Sequence, residues 1–144
     1  MAIEIHTDGG SRGNPGPAAA GVVIGAPFNK SYAKYMGVAT NNEAEYEAVI
    51  VALEKLKALV GKGQTKRTDV KVFMDSKLAV EQLCGRFKIQ SPTIIPRFIK
   101  IHNLRVDFAS VSFQHVPREQ NKGADKAVNQ ELDKHAGTHT LFNL

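Results

Sequence analysis

Between residues 70 and 83 the hydrophobic period changes from two to that of a helix, and an aspartate sits on the joint. Val70, Val72 and Met74 alternate with Lys71 and Phe73, which predicts a short, largely buried strand. From Ser76 to Cys84 the spacing of apolar residues becomes helical. A chain that passes from strand to helix this abruptly lays the helix on the sheet, and the two must share one core. Asp75, on the joint, has two readings. It is a helix cap, as Asp and Ser before an apolar-periodic run commonly are, or it is a metal ligand at a strand end, facing other acids brought there by the fold.

The rest of the chain follows the same plan. Ile3, Ile5 and Thr7 alternate with Glu4, His6 and Asp8, a strand that also ends on an acid. Asp8 to Pro17 is rich in turn residues. Residues 18–26 and 32–39 read as two more strands, so the first third predicts a three-stranded antiparallel meander. Asn41 or Asn42 is expected to cap a long helix running to about Val60 and ended by Gly61-Lys62-Gly63. Residues 69–74 form the fourth strand and 76–84 the second helix. A third helix is expected from Ser91-Pro92-Thr93 to about Asn103, with Pro96 placing its true start a little later. Residues 109–114 alternate as a fifth strand, and a last helix runs from Lys122 to about His135. Leu141 and Phe142 in the tail are expected to pack on the body. The order βββαβαβα predicts one domain over residues 1–144, an α/β fold with a five-stranded mixed sheet flanked by helices.

Composition narrows the setting. With 144 residues, 42% hydrophobic and 23% charged, the chain suits a single soluble domain with a real core. The net charge of +5 favours polyanions, though solvent-facing lysines account for it equally well. One cysteine, Cys84, leaves no internal disulfide, makes a thiolate zinc site implausible and suits a reducing compartment. The amino terminus lacks the charged start and apolar core of a signal peptide, and no apolar stretch is long enough to span a bilayer. A cytoplasmic monomer is expected.

Helical geometry sorts the acids. At about 100° per residue, Glu45 shares its stripe with Ala48, Val49, Ala52, Leu56, Leu59 and Val60, the apolar side of the first helix. Glu43 and Glu47 fall with Glu54 and Lys57 on what reads as a solvated face. In the last helix Asp125 opens a stripe continued by Val128, Leu132 and Ala136. Both acids are also explicable as first-turn residues favoured by the helix dipole. Yet a buried, unpaired carboxylate costs several kcal/mol and needs a cation, a donor or a raised pKa. Should Asp8, Glu45, Asp75 and Asp125 converge, oxygen-bound divalent cations such as Mg²⁺ or Mn²⁺ would relieve their repulsion. A pair of such ions about 4 Å apart suits in-line attack on a phosphodiester.

Four segments carry a more specific signal. Thr7 to Pro17 (TDGGSRGNPGP), Thr40 to Glu45 (TNNEAE), Met74-Asp75-Ser76 and Pro117 to Asp125 (PREQNKGAD) resemble, in order and spacing, the type 1 ribonuclease H family. The resemblance spans essentially the whole chain. It implies the ribonuclease H fold and endonucleolytic cleavage of RNA paired to DNA, leaving 5′-phosphate and 3′-hydroxyl ends. It puts the metal-binding acids on Asp8, Glu45, Asp75 and Asp125, and a mobile histidine that aids proton transfer or product release on His115, whose alternative is a surface residue at a strand end. Ser11, Asn14 and Asn41 are expected to touch the RNA strand and Thr40 a DNA phosphate, against the local alternative of turn and cap duty. The partner is an RNA–DNA hybrid, with double-stranded RNA a second candidate. Other nucleases on the same fold, and a non-catalytic binding domain, are the competing readings. The chain departs from many bacterial relatives in lacking a basic insertion after the second helix, where only Gly85 to Gln90 stands.

Overall fold

The computed structural model describes the backbone of residues 1–142 and the side chains of residues 1–136. Five strands, β1 (Ala2–Ser11), β2 (Gly16–Ile24), β3 (Lys30–Ala39), β4 (Asp69–Met74) and β5 (Ser110–His115), form one sheet in the order β3-β2-β1-β4-β5. The meander β1-β2-β3 is antiparallel, while β1 pairs with β4 and β4 with β5 in parallel. The helices are α1 (Asn41–Val60), α2 (Lys77–Leu83), α3 (Ile95–Val106) and α4 (Lys122–Phe142). None of the described helices is long and apolar enough to cross a membrane.

Alternation in the strands sets the core. Ile3 and Ile5 of β1, Val70, Val72 and Met74 of β4, and Val111 and Phe113 of β5 turn to one face, where Val49, Leu53 and Leu56 of α1 meet them. In β2 that alternation disappears: Ala18, Ala19, Ala20 and Val22 are all buried. The strand is covered on both sides, by α1 on one face and α4 on the other. Small residues there let two helices approach one strand.

The boundaries differ from the sequence expectation in instructive ways. β1 continues through Asp8-Gly9-Gly10 to Ser11, and β2 begins at Gly16, because the glycines still pair across the sheet. The α1 cap is Thr40, not Asn41 or Asn42: its hydroxyl accepts from Glu43 N while the Glu43 carboxylate accepts from Thr40 N. Gly61, at φ +83°, ends that helix as expected. α3 starts only at Ile95, since Pro96 fits the first helical turn, and it runs on to Val106. β5 lies one residue later than expected. α4 passes through Gly137 to Phe142, since one helical glycine costs only about 1 kcal/mol. The packing of Leu141 and Phe142 lies outside the described side chains.

The reading of Glu43 and Glu47 as a solvated face is also corrected. α3 lies along that side of α1, and Arg97 reaches both carboxylates. The two side chains are only 16% and 13% exposed. A single amphipathic stripe describes a helix covered from one direction, whereas α1 is covered from two.

Candidate active site

β1 and β4 run in parallel side by side, so their carboxyl ends deliver Asp8 and Asp75 to the same edge of the sheet. α1 adds Glu45 because β1 has no side chain at residue 9. A Cβ on Gly9 would overlap the backbone of Ala44 and Glu45, so the helix lies directly on the strand. Gly21 does the same for α4: a Cβ there would overlap the Ala124 carbonyl, next to Asp125. Asn121 secures that helix start, its buried amide donating to Thr7 O at 2.8 Å, one residue before Asp8.

Carboxylate oxygens of Asp8, Glu45 and Asp75 all lie within 4.8 Å of one another. Asp125 stands beside them, lining the same open cleft of about 290 Å³ with Gly10, Ser11, Asn41 and Arg118. Asp8 and Glu45 are each only 7% exposed. Burial, and then the charges of Asp75 and Asp125, push Asp8 up to about 7; Glu45 acts the other way, by offering it a hydrogen bond. Burial, then Asp8 and Asp75, hold the Glu45 carboxyl well above its usual range. Glu45 Oε2 is enclosed with no hydrogen-bond partner among the described residues. The apolar-stripe acid of α1 thus lies in the cluster, whereas Ser76, not Asp75, caps α2 through its hydroxyl.

A second group of side chains borders the cleft. Ser11 N donates to Asn41 Oδ1 at 2.9 Å, and Asn41 N donates to Asn14 Oδ1 at 3.0 Å. Both amide oxygens are thereby used as acceptors, which leaves the two NH₂ groups as donors for something else. Thr40 stands next in the chain, its oxygen accepting from Glu43 N and its hydroxyl proton uncommitted by that bond. Ser11, Asn14, Thr40 and Asn41 therefore form one connected patch.

His115 is not among the residues lining the cleft. It ends β5 opposite Met74, exposed, where it joins Arg86 and Lys77 in holding the Glu81 carboxyl low, Arg86 contributing most. The parts played by Gly9, Gly21 and Asn121 do not follow from residue spacing. Gly9 and Asn121 lie in the segments that carry the family resemblance, but taken locally they read as a turn glycine and a polar residue just before a helix, and Gly21 as a glycine inside a strand.

The comparisons bear on this geometry. The model of the family described as reverse transcriptase-like matches residues 6–131. The RNase H1 of Halobacterium salinarum is 36% identical and superposes with a TM-score of 0.83, over 93% of this chain and 99% of that one. This chain belongs to the type 1 ribonuclease H family. Within that family, the RNase H domain of a Mycobacterium tuberculosis protein superposes with a TM-score of 0.86 at 36% identity, over 96% of this chain and 99% of the domain. LC11-RNase H1, solved with an RNA/DNA hybrid, gives 0.84 at 42% identity over 93% and 99%. Against full-length relatives the coverage is smaller: the chain spans 36% of a bifunctional protein of Mycobacterium tuberculosis and 64% of a Halobacterium salinarum ribonuclease HI, each 36% identical.

Proposed function

We propose that this ribonuclease H family member hydrolyses the RNA strand of RNA–DNA hybrids, with little preference for base sequence. The observation that carries the reading is the meeting of Asp8, Glu45 and Asp75 oxygens within 4.8 Å, with Asp125 in the same cleft. The donor set fits a hard divalent cation: it is all carboxylate, it includes the orphaned Glu45 Oε2, and burial followed by mutual repulsion raises Asp8 and Glu45. Asp8, Glu45, Asp75 and Asp125 would hold Mg²⁺, with Mn²⁺ a substitute. A pair of such ions, when bound, supplies charge stabilisation at the phosphorus and a water acidic enough to attack it.

The chain's own residues account for the rest. Asn14 and Asn41, with their amide N–H groups free of the bonds that fix their oxygens, meet the acceptors of an RNA minor groove, including the 2′-hydroxyl that separates RNA from DNA. The Thr40 hydroxyl donates to a phosphate of the DNA strand. Contacts of this kind fix register and leave bases unread. His115 takes part in proton transfer or product departure from its exposed place at the end of the neighbouring strand. Cleavage leaves 5′-phosphate and 3′-hydroxyl ends.

Labelled hybrid, double-stranded RNA, double-stranded DNA and four-way junction, each with Mg²⁺, Mn²⁺ or EDTA, test the proposal together. Cleavage of the hybrid's RNA strand, abolished by EDTA, is the expected result. Hybrid binding without cleavage in either metal would show an idle binding domain, and junction cutting would show a different nuclease on this fold.

A further inference from the structure

α3 takes no part in the cleft, yet one of its side chains reaches the helix start on which Asn41 stands. Arg97 Nη1 donates to Thr93 O at 2.9 Å and lies 3.6 Å from Glu43 Oε2. Its Nε lies 3.5 Å from Glu47 Oε2 and, enclosed, has no hydrogen bond among the described residues. Lys34 takes the other Glu47 oxygen at 2.8 Å. The remaining Glu43 oxygen, Oε1, accepts from Thr40 N at 2.8 Å.

The consequence is a clasp. Two successive backbone N–H groups are held by side chains from different elements: Thr40 N by Glu43, and Asn41 N by Asn14 from the β1–β2 loop. The second hold is self-contained. The first depends on a carboxylate that shares its face of α1 with Glu47, one turn away, and like charges at that spacing repel. Arg97 stands between the two and is the side chain that reaches both.

We propose that Arg97 is a positioning residue for substrate binding. By fixing the Glu43 carboxylate against Thr40 N it sets the placement of Thr40 and Asn41, so that α3 adjusts affinity for the hybrid without touching it. The inference rests on the hybrid-cleaving reading above. Glu45 is independent of the clasp, because the Gly9–Ala44 backbone contact fixes it to β1. The effect therefore falls on binding and leaves the chemical step alone.

Steady-state cleavage of a defined hybrid by the wild type, Arg97→Met, Arg97→Lys, Glu43→Gln and the Arg97→Met/Glu43→Gln pair tests this, with circular dichroism giving the folded fraction. Wild-type cleavage checks the underlying reading separately. Arg97→Met is expected to raise KM about tenfold, the scale of a lost helix cap, with kcat changed less than about twofold. Arg97→Lys, which keeps the charge but not the fork, should recover part of the loss. The pair should show a KM no higher than the worse single variant, since both act on one clasp. A wild-type KM in Arg97→Met overturns the proposal, as does a fall in kcat that tracks the folded fraction at constant KM. Additive KM effects in the pair overturn it too. Should Arg97→Met not fold, the KM of Arg97→Lys and Glu43→Gln decides: unchanged in both, the proposal fails.

Discussion

Asp8 is the residue whose chemistry the fold changes most. With its carboxyl pushed up to about 7 from an ordinary 3.8, the folded protein keeps a proton that the unfolded chain has already released between those values. Bound protons in excess in the folded state mean that stability falls as pH rises from about 4 to about 7, then levels off. Urea titrations in EDTA at pH 4.5 and pH 7.5 should therefore show a lower midpoint at the higher pH. Asp8→Asn should shrink that difference, with the raised Glu45 contributing the rest; an unchanged slope would show that Asp8 has no part in it. Asp75→Asn removes the larger of the two charges acting on Asp8 and is expected to abolish hybrid cleavage while leaving the melting temperature equal or higher. Retained cleavage at near wild-type rate would remove Asp75 from the site. At His115, replacement by Ala should slow turnover within the range of a proton-transfer group, about a hundredfold, without eliminating it.

Among the elements, the placing of α1 and α4 is decided by absent side chains. Gly9→Ala must push α1 away from β1, because the added methyl meets backbone and not the end of a flexible side chain. It should cost about 3 kcal/mol and separate Glu45 from Asp8, so activity is lost even where the protein stays folded. Gly10→Ala is the control. The nearest atom to its Cβ is Val128 Cγ1 at 3.7 Å, ordinary contact, and stability should change by less than about 0.5 kcal/mol. Chemical denaturation of the two variants separates the cases directly. Asn121 is the positive tie that complements these close approaches, holding the start of α4 to the end of β1.

For the molecule as a whole, the acid cleft is a point of strain that a ligand can relieve. A divalent ion that binds only the folded state stabilises it by about 2.7 kcal/mol at a hundred times its Kd. For a chain of 144 residues that amounts to several degrees in melting temperature. Calorimetry with Mg²⁺ against EDTA should show the rise in the wild type and a much smaller one in Asp75→Asn. An equal rise in both would place ion binding elsewhere. The reading that this chain grips a hybrid without a basic insertion draws on its +5 charge, and residues 55–67 and 86–105 each carry five Lys or Arg and no acid.

Much of this was legible in the order of residues. Alternation in β1, β4 and β5 and helical spacing in α1 and α4 reflect which side of each element meets the core, and they gave the fold class and the order of elements. The same periodicity picked Glu45 from three glutamates, because a carboxylate on an apolar stripe is out of place wherever the stripe is buried. Other features depend on what a distant segment brings. The covering of Glu43 and Glu47 by α3, the Asn121 bond to Thr7, and the choice of Thr40 over Asn41 as cap are contacts between parts of the chain, or selections among equally suitable neighbours. Local sequence determined which residues could serve, through period and side-chain chemistry. Only tertiary structure decided which of them meet, since distance between segments and the loss of water around a charge exist only once the chain has folded.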